Sequence, residues 1–123
     1  MSISKSIYNL AQRLSKKSNH HTYKLGCVIF NKKEIIGLGF NQLKTHPKSP
    51  HPFHSIHAEF HAIMGVSPSD LRNAKVFVYM ENVKGKIGKG KPCPCCTKML
   101  EQLGLSKVFY TNGEGKIEFL NLN

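Results

Sequence analysis

The chain has 123 residues, enough for one hydrophobic core and too few for two, so we predict a single domain over residues 1–123. Eighteen Lys and Arg residues against seven Asp and Glu residues give a formal net charge of +11, which attracts phosphate in free or polymeric form. No apolar run reaches membrane-spanning length and residues 1–18 lack the apolar centre of a signal peptide, so we expect a cytoplasmic protein with no membrane partner.

The first part of the chain predicts a helix followed by a β-hairpin. Apolar residues recur at helical spacing between basic ones, which predicts an amphipathic N-terminal helix on one face of a sheet. Two apolar segments, residues 25–30 and 34–40, flank a turn-like Asn-Lys-Lys and therefore predict two paired strands. Cys27 lies in the first strand, where we expect a small buried hydrophobic side chain.

A long loop follows the hairpin, from Asn41 to residue 55. Loops of this length are usually functional or mobile. We expect its histidines to be solvated, with a second metal or a phosphate as the alternative ligand. They are His46, His51 and His54. Phe53 either stacks on a base or anchors the loop.

The second part of the chain alternates helices with strands. A helix opens at His57 and ends near Gly65, residues 67–70 break the chain, and residues 75–80 form a strand whose two faces are both apolar. Residues 92–103 predict a third helix that stops at Gly104. Strands over 107–111 and 117–120 are joined by a tight turn, so we predict that they pair antiparallel.

Two short segments carry metal-binding side chains, H-A-E at residues 57–59 and P-C-P-C-C at residues 92–96. Three of the four cysteines lie in the second segment, a spacing that suits a metal in a reducing compartment better than a disulfide framework. Cys93 and Cys96 share one face at the start of a helix, whose N-terminus favours thiolates, and Cys95 is turned away. With His57 they leave the fourth position of a tetrahedral zinc ion open to water, as a catalytic site requires.

The residue types also indicate a reaction. Zinc lowers the pKa of its water, so that hydroxide is available at neutral pH to attack an amidine-like ring carbon that carries an amino group. Glu59 is predicted to take the water proton, pass it to the ring nitrogen and later give one to the departing ammonia. His57 and Glu59 converge only if the metal lies off the N-terminal end of their helix. A structural zinc knuckle, with Cys95, His54 or His61 as fourth ligand, is the alternative.

H-x-E followed by P-C-x-x-C is a signature of zinc-dependent nucleobase deaminases, and the chain resembles the cytidine and deoxycytidylate deaminase superfamily. The resemblance implies an α/β fold of three layers, in which helices flank a central mixed five-stranded sheet. It implies a Zn²⁺ cofactor and a homo-oligomer. Asn41 matches an Asn that contacts the substrate sugar in the superfamily, although a turn-forming role fits the residues equally well. Ala58, between the metal His and the catalytic Glu, is a further candidate for substrate binding.

One segment departs from the superfamily pattern. The strand before P-C-x-x-C usually runs almost directly into it, often through an acidic residue. Here Glu81 has that place, but residues 83–91 are interposed. This insertion places four lysines between glycines: Lys84, Lys86, Lys89 and Lys91. Either a flexible phosphate-binding flap or a solvated charged loop is expected, and Lys89 and Lys91 are the candidate substrate-binding residues.

The features that distinguish substrates are mixed. An antiparallel last strand pair resembles free-cytidine deaminases, whereas a metal His at residue 57 resembles the deoxycytidylate and transfer-RNA adenosine types. We predict hydrolytic deamination of the cytosine of a free nucleoside or nucleotide to uracil with release of ammonia. The alternatives are a deaminase of single-stranded DNA or RNA, acting on cytosine or on adenine in tRNA, and a non-catalytic zinc-stabilised module that binds nucleic acid.

Overall fold

The computed structural model describes residues 3–43 and 56–122. The predictions for His46, His51, Phe53 and His54 therefore concern residues outside the described ranges. The elements in chain order are α1 (Lys5–Ser15), β1 (Tyr23–Asn31), β2 (Glu34–Phe40), α2 (Ala58–Ile63), α3 (Pro68–Leu71), β3 (Lys75–Asn82), α4 (Pro94–Gln102), β4 (Lys107–Thr111) and β5 (Ile117–Asn121). Within the described ranges, no helix has the length and apolar character needed to cross a membrane.

Two local differences from the predicted elements have simple causes. Residues 67–70, predicted only to break the chain, begin the short helix α3, because Pro68 at its first position has a backbone angle already suited to a helix. Helix α4 begins at Pro94 and not at residue 92, since Cys93 is its extended N-cap residue. The Cys93 sulfur accepts a hydrogen bond from the Cys96 amide at 3.5 Å.

The five strands form one sheet in the order β2-β1-β3-β4-β5. Strands β3 and β4 are parallel and the other neighbours are antiparallel, so the predicted mixed sheet is confirmed. The predicted antiparallel pairing of β4 with β5 is confirmed as well. Helix α4 forms the crossover that the parallel pair requires.

Helices cover both faces of this sheet and give the predicted three layers. On one face, Ile7, Ala11 and Leu14 of α1 pack against a cluster that includes Phe77 and Phe109. The opposite face packs against α2 and α4 through a second cluster: Cys27, Ile29, Ala58, Ala62, Val76, Val78, Leu100 and Val108. Cys27 is fully buried, as predicted.

Close backbone contact sets the position of α2 on the sheet. A Cβ atom on Gly39 of β2 would meet the carbonyl oxygen of Ala58 and lie 2.5 Å from the amide nitrogen of Ala62. Only glycine allows the backbones of a strand and a helix to approach this closely. Gly39 therefore sets how closely α2, which begins directly after His57, packs on the sheet.

We expect Gly39→Ala to lower the free energy of unfolding by about 1–3 kcal/mol, because an added methyl group must push α2 off the sheet. The same shift moves residues 57–59 away from α4, so zinc content should fall as well. Denaturant titration and metal analysis measure the two effects. Gly113→Ala is the control, since nothing lies within 4 Å of a Cβ at that position. Equal stability of the two variants would contradict the expected contact.

Candidate active site

The N-terminal ends of two helices meet where the inner strands β1 and β3 begin and end, respectively, and bring the two motif segments together. His57 is the N-cap residue of α2 and Cys93 is the N-cap residue of α4. Cys96 lies in the first turn of α4 and is fully buried. The chain thus places one imidazole and two sulfur atoms at a junction between two helix starts.

The three ligand atoms have the spacing of a zinc site. His57 Nδ1 lies 3.7 Å from Cys93 Sγ and 3.6 Å from Cys96 Sγ. All three atoms lie within 4.8 Å of one another. A tetrahedral zinc ion with the usual bond lengths to nitrogen and sulfur holds these two atom types about 3.6 Å apart. The donor set and its distances therefore fit zinc.

A structural zinc knuckle needs a fourth protein ligand. Among the described residues, no candidate for that ligand lies in the group of His57, Cys93 and Cys96. Cys95 is exposed and lies outside the cluster of His57, Cys93 and Cys96. His61 Nδ1 is 3.0 Å from the Phe40 amide, which donates to it, so this histidine ties α2 to the end of β2. His54, the remaining candidate, lies outside the described ranges.

Glu59 lines the same cavity as His57 and Cys93. It is the second residue of α2 and only 2% exposed. Burial raises the pKa of its carboxyl group to about 7. Burial also raises the pKa of the Cys96 thiol, with a smaller effect from the nearby Glu59 charge. Glu59 is thus a buried acid in the wall of the cavity, where it can exchange a proton with a bound ligand.

A cavity of about 250 Å³ opens beside these groups. Every residue predicted to bind substrate lines it, together with Glu59 and two of the three proposed zinc ligands: Asn41, Ala58, Lys89, Lys91, Glu59, His57 and Cys93. Cys96 is buried behind them. The cavity is also lined by residues that no sequence motif indicates: His20, Tyr23, Leu25, Gln42, Ile56 and Met80.

A family model agrees with this arrangement. The model for the cytidine and deoxycytidylate deaminase zinc-binding region matches residues 1–112. The chain belongs to this family. Membership, together with the His/Cys/Cys group, confirms the predicted zinc-dependent hydrolytic deaminase and its Zn²⁺ cofactor.

Solved structures of deaminases share the fold. Cytidine deaminase from Burkholderia pseudomallei has a TM-score of 0.70 and 17% identity, covering 98% of this chain and 94% of that chain. The dCMP deaminase of cyanophage S-TIM5 in apo form has a TM-score of 0.60 and 22% identity, covering 89% and 86%. The same phage enzyme in complex with dCMP and dUMP has a TM-score of 0.59 and 21% identity, covering 93% and 90%. A search of curated protein sequences found no match.

Asn41 directly follows β2, lines the cavity and is hydrogen-bonded through its side chain to β1. Its side-chain oxygen accepts a hydrogen bond from the Leu25 amide, and its side-chain nitrogen donates one to the Tyr23 carbonyl, both at 2.9 Å. An Asn amide has two donors and two acceptor lone pairs, so one of each is left for a ligand. The structural role is thus visible, and the sugar contact stays a prediction.

The inserted lysine segment is hydrogen-bonded to the sheet. The Gly88 amide donates to the Met80 carbonyl at 3.0 Å, and the Gly90 amide donates to the Thr111 carbonyl at 2.8 Å. A bridge between Glu81 and Ile87 folds the segment back along β3. The sequence left a flexible phosphate-binding flap and a solvated charged loop as alternatives, and in the structure the four lysines are exposed on a segment that is hydrogen-bonded to the sheet. Among the four lysines, only Lys89 and Lys91 line the cavity.

Glu81, which has the place of the usual acidic residue of the family, faces the opposite side of the sheet. Its carboxylate accepts hydrogen bonds from Lys16 Nζ at 3.0 and 3.1 Å and from the Tyr79 hydroxyl at 3.0 Å. It is 4% exposed and does not line the cavity. Glu81 therefore ties α1 to the end of β3.

Proposed function

We propose that this deaminase hydrolyses the cytosine base of a free nucleoside or nucleotide to uracil and ammonia. One observation carries the proposal. A single small cavity is lined by Glu59 and by two of the three proposed zinc ligands, His57 and Cys93, and the third ligand, Cys96, is buried next to them. When bound, zinc supplies a water activated at neutral pH. The reaction consumes that water, replaces the exocyclic amino group by a carbonyl oxygen and releases the amino group as ammonia.

The proposed roles follow from the positions of the side chains. His57, Cys93 and Cys96 hold the metal. Glu59 accepts the proton of the attacking water, delivers it to the ring nitrogen and then supplies a proton to the leaving ammonia. A carboxyl group whose pKa lies at about 7 suits both directions of transfer. Asn41 is proposed to orient the sugar.

The walls of the cavity support a single base as the bound unit. Leu25, Ile56 and Met80 give it apolar surface, while Tyr23 and Asn41 stand at the same wall. A volume of about 250 Å³ lies just below the usual range of about 300–1,000 Å³ for ligand pockets, which is small for more than one nucleotide. The cyanophage dCMP deaminase of the same fold was solved with small nucleotides, dCMP and dUMP.

A substrate screen tests the proposal. The purified zinc form is incubated with cytidine, deoxycytidine, their 5′-monophosphates and short single strands, and ammonia release is measured. We expect turnover of at least one monomer. The net charge of +11 favours single strands as the alternative substrate. Turnover of strands alone would replace the proposal by that alternative, and zinc-loaded protein that turns over none of these cytosine compounds would overturn the proposal and leave adenine as the base to test.

A further inference from the structure

Two cationic side chains stand at the solvent end of the cavity. Lys89 and Lys91 are exposed, yet both line the cavity that Glu59 and the metal group share. We propose that they form a phosphate subsite, with His20 as a third donor, and that the substrate is consequently a nucleoside monophosphate. This inference rests on the proposed deamination and names its substrate class.

The backbone that carries the two lysines is held in place before any ligand binds. The Gly90 amide between them donates to the Thr111 carbonyl at 2.8 Å, and a Cβ on Gly90 would lie 2.9 Å from the Val78 carbonyl oxygen. The Thr111 hydroxyl donates to the Gly88 carbonyl at 2.7 Å and accepts from the Met80 amide at 3.2 Å. Binding an anion therefore has to order only the two side chains, which lowers the entropic cost.

His20 adds a third donor, on a ring that is held by hydrogen bonds from the backbone. Its Nδ1 accepts hydrogen bonds from the Thr22 and Tyr23 amides, both at 3.1 Å. When Nδ1 is an acceptor, the proton of the neutral ring is on Nε2, which is then a donor. The ring also stacks on Tyr23, with centroids 6.3 Å apart. His20 thus lines the cavity as a held side chain with one donor to offer.

The charged side chains at the solvent end of the cavity, which is its mouth, favour an anionic ligand. Among the described residues that line the cavity, Glu59 is the single acidic one, and it is buried at the metal end. Glu81, the nearest acidic residue in sequence, faces α1 and pairs with Lys16 at 3.0 Å. Lys89 and Lys91 therefore present positive charge to the cavity with no acidic lining residue beside them in the described part of the chain. A phosphate monoester, with its negative charge and acceptor oxygens, matches such a site.

The test compares two double variants that lose the same charge from the same segment. Lys89→Gln with Lys91→Gln removes the proposed subsite, whereas Lys84→Gln with Lys86→Gln neutralises two lysines that do not line the cavity. For each zinc-loaded protein, kcat/KM is measured on deoxycytidine 5′-monophosphate and on deoxycytidine. We expect the ratio of the two values to fall about 100-fold in the first variant, roughly tenfold for each lost charged hydrogen bond, and to stay constant in the second. His20→Asn, which keeps an acceptor for the two amides, should lower the ratio by a smaller factor.

A binding measurement separates this inference from the proposed function. Calorimetry compares deoxyuridine 5′-monophosphate with deoxyuridine, and neither needs to be turned over. A preference for the monophosphate that disappears only in the Lys89/Lys91 variant supports the subsite even if no deamination occurs. Deamination of the nucleoside with no preference for its monophosphate in either assay overturns the subsite and leaves the proposed function intact.

Salt dependence distinguishes a monophosphate from the backbone of a nucleic acid. A single strand that contacts several phosphates loses affinity with a log–log slope of about 0.7 for each phosphate, whereas one monophosphate gives a shallow dependence. We expect the monophosphate to compete at the cavity with this shallow slope. The assignment to a free nucleotide would be overturned by two results together. A strand of ten cytidylates would bind with a steep salt dependence that the Lys89/Lys91 variant loses, and that variant would bind the monophosphate as well as the unaltered chain does.

Discussion

Replacing Glu59 by glutamine is expected to lower turnover by about 10²–10⁴-fold while zinc remains bound, because the amide keeps the shape of the side chain but cannot carry the proton. Glu59 is not part of the His57, Cys93 and Cys96 group, so its loss removes no proposed ligand. Ammonia release and metal content are measured on the same preparation. Thermal unfolding of the variant checks that the buried position accepts the neutral amide.

Glu34→Gln provides the matched control, since it makes the same chemical change at an exposed position at the start of β2. Its turnover and zinc content should equal those of the unaltered chain. Normal turnover of Glu59→Gln would show that this carboxyl group does not transfer the proton. Loss of zinc from Glu59→Gln would instead assign the carboxyl group to the metal.

The metal group could be predicted from the sequence because each half of it is local. Cys93 and Cys96 are three residues apart at one helix start, and that spacing alone places both sulfur atoms on one face. His57 is far from them along the chain, and only the family signature linked the two halves before the fold was known. The structure supplies the physical link, which is the packing of α2 and α4 on the same face of the sheet.

The mouth of the cavity could be predicted only in part: Lys89 and Lys91 were expected there from the sequence, whereas its other residues come together through non-local contacts. Tyr23 begins β1 and His20 lies three residues before it, and nothing in the local sequence distinguishes them from surface residues. Alternation along β3 puts Met80 and Glu81 on opposite faces, but it does not say which face carries the metal. The Gly and Lys content of residues 83–91 allowed either a flexible flap or a solvated loop, and it could not show the hydrogen bonds from Gly88 to Met80 and from Gly90 to Thr111.

The largest expected effect on zinc itself comes from Cys96→Ser. Cys96 Sγ lies 3.6 Å from His57 Nδ1 in a fully buried position, and a serine hydroxyl is a far poorer zinc ligand than a thiolate. We expect zinc affinity to fall by at least about 100-fold and turnover to be lost with it. Metal analysis after dialysis against a weak chelator measures the retained zinc.

Cys95→Ser gives the sharpest control, because it makes the same substitution one residue away at an exposed cysteine outside the metal group. Its zinc content and turnover should match those of the unaltered chain. Zinc that binds the folded state also stabilises it, by about 2.7 kcal/mol when the free metal is a hundredfold above its dissociation constant. A strong chelator should therefore lower the Tm of the unaltered chain and of Cys95→Ser, and leave the already lower Tm of Cys96→Ser unchanged. Full zinc retention by Cys96→Ser, or zinc loss from Cys95→Ser, would mean that the ligand set has been assigned to the wrong sulfur.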